Sequence, residues 1–269
     1  MKSLLFITVA SYAGFCLLLY LAQNKLIFFT QPAHVGEMLL PPGYTSEPVT
    51  FQSHDGLALK GTLIRPAGGP APLVIYYGGN AEEISYLAQL ADRYAGAALL
   101  LVNYRGYGGN PGAPSAAALI ADAKRIFDQA RLLANIRKDE IYVHGRSLGS
   151  GVAVAVASER PVRGVMLTTA FDSLTAVAQA HYPVVPVSLL LRHKFDSVAA
   201  ARSANIRSLH LVAGSDTIIP PRHARALFDA WAGPKTWREY SQAGHNDIQD
   251  TPGYWDTIAA FLKSPPSAP

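Results

Sequence analysis

Ser147 stands in the frame "HGRSLGSG", residues 144–151, with a glycine two positions to either side. An apolar run, "EIYV", precedes this frame and a small-residue run, "VAVAVAS", follows it. Gly145 to Gly149 match G-x-S-x-G, a sharp strand-to-helix turn that lifts a serine hydroxyl above a sheet edge. The serine of such a turn has a strained backbone that persists only if its neighbours leave room. Side chains at Gly145 or Gly149 would meet the adjoining strand or helix, and the small Ser150, Gly151, Ala153 and Ala155 let the helix lie close to the sheet. The serine also opens a helix, where backbone N–H groups and the dipole favour developing negative charge. A plain Gly-rich turn with Ser147 as N-cap uses the same residue types. Partners elsewhere in the chain decide between the two readings.

A serine hydroxyl needs a base within hydrogen-bond reach and a third group to orient that base. With this turn the chain order is serine, acid, histidine. His245, in "QAGHND", lies on a loop after the last strand and follows a glycine that lets the loop turn. The other seven histidines fit less well: His34, His54, His181 and His193 fall in connector, turn or insertion. His144 precedes the turn, His210 sits within a strand, and His223 lies in the exposed-looking "PRHAR". For the acid, "LHLVAGSDTIIP" puts Asp216 just past a strand end. Asp172 in "AFDS" is the rival, and Asp247 and Asp250 follow the histidine too closely to reach its far nitrogen easily. An oxyanion would be met by the N–H of Leu148 and by an N–H from the loop "YYGGNAEE", where Asn80 is the expected donor.

Such residues must be held by a sheet whose strand ends meet on one side. Apolar runs without alternation recur near 73–77, 98–103, 141–144, 164–169 and 209–213, as in strands buried on both faces. Helical patterns separate them, near 81–94, 115–133, 147–158 and 222–230, and the alternation implies a mostly parallel sheet. A hairpin over 49–51 and 57–64 precedes this series. A last strand over 237–240 and a helix over 254–262 close it. Residues 171–205, with "HYPVVPVSLLLRHKF", break the pattern and read as a small helical cap insertion.

The chain has 269 residues, 49% of them hydrophobic, enough for one large domain. Its net charge is +4, and the 23 Lys and Arg residues are scattered with no run of five, so no nucleic-acid partner is expected. One cysteine, Cys16, excludes an intrachain disulfide and reads as a small hydrophobe. No H-E-x-x-H and no Cys/His ligand spacing occurs, so no metal and no cofactor are expected. Leu4 to Ala22 carries no charge and runs about 19 residues, the length of a bilayer-spanning helix. It lacks a small-x-small cleavage site and reads as an uncleaved signal anchor. Lys2 and the terminal amine slightly outweigh Lys25, which puts the N-terminus in the cytoplasm and, in a bacterium, the main domain in the periplasm of the inner membrane.

The set "YGGNAEE", "NYRGYGGNPGAPS", "GRSLGSGVA", "AFDS", "GSDTIIP" and "AGHNDI", in that order, resembles the α/β-hydrolase superfamily over roughly 48–262. With "QNKLIFF" after an apolar anchor it is similar to the membrane-anchored branch related to protein depalmitoylases and serine-aminopeptidase-like hydrolases. The resemblance implies an α/β-hydrolase fold: a mostly parallel, eight-stranded twisted sheet with helices on both faces, a small helical cap and an N-terminal transmembrane helix. It implies Ser147 as nucleophile, Asp216 as acid, His245 as base, and Asn80 and Leu148 as the oxyanion hole. The division expected is anchor 1–25, connector 26–47, hydrolase domain 48–263 with the cap at about 171–205, and a disordered tail 264–269. The expected reaction is hydrolysis of a small acyl ester or thioester through an acyl-enzyme. A serine aminopeptidase and a non-catalytic binding protein are the alternatives. Two positions depart from the family: Gly78 replaces a common histidine, which should loosen loop support, and Asn103 replaces a common aspartate.

Overall fold

The described residues of the computed structural model are 1–264, so the tail expected at 264–269 lies outside them apart from Ser264. The strands are β1 (Tyr44–Gln52), β2 (Ala58–Pro66), β3 (Ala71–Tyr77), β4 (Ala98–Val102), β5 (Ile136–Arg146), β6 (Gly164–Thr168), β7 (Ser208–Ala213) and β8 (Lys235–Tyr240). They form one eight-stranded sheet in the order β1-β2-β4-β3-β5-β6-β7-β8. The β1–β2 hairpin and the β2–β4 pair are antiparallel, and every pairing from β3 onward is parallel. Chain order reverses between β3 and β5: β4 lies on one side of β3 and β5 on the other. In open α/β sheets the crevice at that reversal, beyond the carboxyl ends of the strands, is where ligands sit.

Each face of the sheet carries its own core. Leu73, Ile75 and Tyr77 of β3 face one layer, which includes α2 (Ala116–Ala130) and α3 (Leu148–Ala157). Val74 and Tyr76 face the other, which includes residues 84–94 and α8 (Tyr254–Lys263). Buried positions in α2 recur at three- and four-residue spacing, from Ala116 through Leu119, Ala123, Ile126 and Phe127 to Ala130. The Ser115 hydroxyl caps that helix by accepting from Ala118 N at 3.2 Å.

The segment expected as a helix over 81–94 is a 3-10 helix, Ile84–Tyr94. Its buried residues are Ile84 and Leu87, then Ala88, Ala91 and Tyr94, spaced mainly by three. Three residues per turn keeps such a set on one face. Between β6 and β7 run three short helices, α4 (Leu174–His181), α5 (Val187–Leu190) and α6 (Ser197–Ala201), with α7 (Pro221–Ala230) following β7. Asp196 caps α6 through Ala199 N at 3.0 Å, and Ser173 caps α4 through Ala176 N at 3.0 Å.

The N-terminal helix α1 spans Lys2–Ile27, with a mean hydropathy of 2.1 over its most apolar stretch, and is long and apolar enough to cross a membrane. Its buried residues are Cys16 and Gln23. Gln23 joins the helix to the end of α5 and the segment after it: its side-chain oxygen accepts from Arg192 N at 2.8 Å and its nitrogen donates to Leu190 O at 3.3 Å.

Candidate active site

Ser147 ends the turn between β5 and α3 with φ +52° and ψ −120°, a conformation that non-glycine residues rarely adopt. Two close approaches explain the flanking glycines. A Cβ on Gly145 would meet Gly149 O and lie 2.7 Å from Ala153 Cβ. One on Gly149 would meet the backbone of Tyr77 and Gly78. The strained serine is held from both sides: Ser147 N donates to Thr168 O at 2.9 Å, and the Ser150 hydroxyl donates to Ser147 O at 2.6 Å.

His245 lies on the loop after β8, with Nε2 2.9 Å from Ser147 Oγ and Nδ1 2.6 Å from Asp216 Oδ2. Asp216 follows β7 and is 5% exposed. Its other carboxylate oxygen accepts from Ile218 N at 2.8 Å and Ile219 N at 2.7 Å, so both oxygens are fixed. A carboxylate on Nδ1 keeps the proton there and leaves Nε2 as the acceptor for a hydroxyl proton. The rival acids are engaged elsewhere. Asp172 faces His223 Nδ1 at 2.9 Å, Asp247 accepts from Gly244 N at 2.6 Å, and Asp250 lies in the short 3-10 turn Ile248–Asp250. His223, which the sequence suggested was exposed, is 5% exposed, because its ring turns inward to Asp172.

Leu148 opens α3, so its N–H has no acceptor within the helix. Asn80 borders the same cavity as Ser147 and Leu148. Its side-chain oxygen accepts from Phe29 N at 3.2 Å, which ties the loop after β3 to the end of α1.

Two residues that sequence reasoning passed over organise these loops. Glu82, 8% exposed, accepts from Gly79 N at 2.5 Å, Tyr86 Oη at 2.7 Å, Tyr76 Oη at 3.0 Å and Arg146 Nη1 at 3.2 Å. Arg146 also donates to Asn246 Oδ1 at 3.0 Å and His245 O at 3.3 Å. One guanidinium thus joins the serine turn, the loop after β3 and the histidine loop. The available signal was a charged residue directly before the serine and an acid in "GGNAEE". Gly78 does not leave the loop unsupported, since Glu82 holds it from within; a Cβ at Gly78 would lie 2.6 Å from Ile84 Cγ2. Asn103 donates to Glu83 Oε1 at 2.5 Å and accepts from Ile84 N at 3.2 Å. An aspartate there would set two carboxylates together.

A cavity of about 250 Å³ opens beside Ser147. Its walls are largely apolar, with Phe171, Leu174, Val177, Val185 and Leu191 contributed by the segment between β6 and β7. Among the described residues, the grouping with metal-ligand potential is His54, Asp55 and Asp122. The Arg105 guanidinium lies between its carboxylates, 2.7 Å from Asp122 and 2.8 Å from Asp55, and supplies their counter-charge.

No family model matches the chain. An uncharacterized protein of Mycobacterium tuberculosis is 34% identical over 257 residues, covering 93% of this chain and 90% of that protein. An uncharacterized membrane protein of Saccharomyces cerevisiae is 28% identical, covering 91% and 90%. The alpha/beta hydrolase domain-containing protein WAV2 of Arabidopsis thaliana is 24% identical, covering 81% and 78%. Among solved structures, an acetyl xylan esterase from a Paenibacillus species superposes with a TM-score of 0.69 at 21% identity, covering 91% of each chain. A Pyrococcus furiosus esterase superposes with a TM-score of 0.64 at 17% identity, covering 87% and 96%. At those identities the likeness is one of fold.

Proposed function

The chain belongs to the α/β-hydrolase superfamily, and from that premise we propose that it is a membrane-anchored serine hydrolase of acyl esters or thioesters. The observation that carries this reading is the continuous line from Ser147 Oγ through the His245 ring to Asp216, at 2.9 and 2.6 Å, beneath a strained serine backbone.

Ser147 Oγ attacks the acyl carbonyl carbon while His245 Nε2 takes the hydroxyl proton. Asp216 stabilises the imidazolium and keeps the ring oriented. Negative charge collects on the carbonyl oxygen, where the N–H groups of Leu148 and Asn80 receive it at the start of α3. Collapse breaks the bond to the leaving alkoxide or thiolate, which takes the proton from His245. Water, deprotonated by the same nitrogen, then cleaves the acyl-serine and restores the hydroxyl. The apolar cavity beside Ser147 suits the acyl side of such a substrate. The hydropathy of α1 supports an anchor, and the basic N-terminus supports an inner-membrane orientation with the domain in the periplasm.

A fluorophosphonate probe tests the serine directly. Wild type should label and Ser147→Ala should not. Equal labelling of the two, or none of wild type, ends the catalytic reading. Turnover of p-nitrophenyl acyl esters against aminoacyl anilides tests the bond type, and a clear preference for anilides would replace the ester reading with a peptidase.

A further inference from the structure

The cavity beside Ser147 has a second wall that does not come from the hydrolase domain. Leu19, Tyr20, Gln23, Leu26 and Ile27 of α1 line it opposite the cap. A helix that served as a tether alone would have no reason to meet the substrate space.

The depth of the contacts is informative. Tyr12 Oη donates to Val184 O at 2.6 Å. Tyr12 lies about 12 Å beyond Leu4 and about 15 Å before Ala22 along the helix axis, which is mid-span in an apolar core of about 30 Å. At the other end, Gln23 meets Leu190 and Arg192, and the Arg192 guanidinium lies 4.9 Å from the Tyr20 ring. The segment 184–192 therefore runs along α1 from Gln23 back to Tyr12, near the middle of the helix. Basic Arg192 and Lys194 lie at the Gln23 end, and the uncharged "YPVVPVSLLL", 182–191, lies along the helix.

The tip is built for an environment without water. Tyr182, Val184 and Leu189 are 53%, 75% and 82% exposed. Its backbone, by contrast, is largely satisfied internally. The N–H groups of Tyr182, Val185, Val187, Leu189, Leu190 and Leu191 all donate to carbonyls of the cap, and Pro183 and Pro186 have none to satisfy. Gln179 donates to the carbonyls of Tyr182 and Pro183, Tyr12 to that of Val184, and Gln23 to that of Leu190. Apolar side chains turned outward over a mostly self-paired backbone suit hydrocarbon better than water.

We propose that the cap tip 182–191 sits in the bilayer against α1, and that the cavity between them takes the acyl chain of a membrane-resident lipid ester, drawn sideways from the hydrocarbon to Ser147. This rests on the serine-hydrolase reading above. The helix is then both anchor and substrate wall, and the substrate reaches the serine without crossing water.

Two measurements on the full chain test it. A Val184→Cys, Cys16→Ser protein carrying a fluorophore at 184 is reconstituted in phosphatidylcholine vesicles. Quenchers at the lipid mid-chain should quench it more strongly than aqueous iodide, while a label at Asp139→Cys should show the reverse. Iodide quenching at 184 equal to that at 139 overturns the proposal. Separately, Leu19→Trp narrows the cavity and should lower the ratio of kcat/KM for hexadecanoyl over butyryl p-nitrophenyl ester at least tenfold. Leu18→Trp, on the outer face of α1, should leave that ratio unchanged. Fluorophosphonate labelling normalises both variants to correctly folded sites. An unmoved ratio in Leu19→Trp overturns the wall assignment alone, whereas full ester turnover by Ser147→Ala overturns the serine reading and leaves the depth measurement standing.

Discussion

His245 and Asp172 each have a possible aspartate–histidine partner, yet the structure pairs them apart: His245 Nδ1 lies 2.6 Å from Asp216, while Asp172 lies 2.9 Å from His223. Two aspartates follow neighbouring strands, and only one is joined to the histidine that faces the serine. The proposed mechanism therefore makes a sharp distinction between them. Asp216→Asn should lower kcat by about a thousandfold or more, because the wrong tautomer is then favoured at His245. Asp172→Asn should change kcat by less than about threefold, since it touches no reacting group. Steady-state ester hydrolysis reads both, and the reverse order would transfer the acid role to Asp172.

The loop after β3 is held by a carboxylate from within the loop itself. Glu82 accepts from Gly79 N at 2.5 Å and from Arg146 at 3.2 Å, so it fixes the loop that brings Asn80 beside the serine. Glu82→Gln keeps the size but removes the charge and turns one of its two acceptor oxygens into a donor, which must face either Gly79 N–H and Arg146 or the Tyr76 and Tyr86 hydroxyls. A small displacement of the loop should lower kcat about ten- to a hundredfold with little change in KM. A rise in KM at constant kcat would show that Glu82 shapes the substrate cavity instead.

Much of this site was legible because its local demands are steep. Gly149 is dictated by the backbone of Tyr77 and Gly78 directly against it, and Ser147 by the turn itself. Strands β4, β6 and β7 are buried along their whole length, so their composition gives them away. What stayed hidden depends on partners far away in sequence. Arg146 reads as a filler position in G-x-S-x-G until Glu82 and the His245 loop are placed around it. His223 reads as a surface residue in "PRHAR" until Asp172 is placed beside it. The role of Gln23 and Tyr12 was equally invisible, because a polar side chain in an apolar helix does not name its acceptor. The 3-10 winding of 84–94 lay in spacing that an α-helix shares in part.

Arg105 offers a test of stability away from the serine. It is 5% exposed and binds Asp122 through two bonds, at 2.7 and 2.9 Å, with Asp122 itself 4% exposed. Arg105→Leu leaves that carboxylate buried without its counter-charge and should cost about 3–5 kcal/mol. The double variant Arg105→Leu, Asp122→Leu removes the orphaned charge and should recover part of the loss. Denaturant unfolding of the full chain in micelles measures both. A double variant no more stable than the single one would show that packing, not the charge, sets the cost.

Two buried histidines bear on stability in acid. His144 and His210 are 1% and 0% exposed. Burial, reinforced by Arg146 for the first and by Lys235 and Arg225 for the second, lowers each pKa from 6.5 to about 3. Above pH 6.5 both rings are neutral in the folded and unfolded chain alike, and their contribution to stability is intact. As pH falls from 6.5 towards 3 the unfolded chain binds two protons that the folded chain refuses, so stability is lost across that window. Each histidine contributes a slope of about 1.4 kcal/mol per pH unit there. His210 packs edge-on against Phe228 and Trp231, so His210→Phe keeps an aromatic ring in place while removing the titrating group. Unfolding free energies between pH 6.5 and 4 should therefore fall less steeply for His210→Phe than for wild type, by about that one-proton slope. Parallel lines for the two proteins would mean that His210 takes up its proton in the folded state, and its burial would then have no bearing on acid stability.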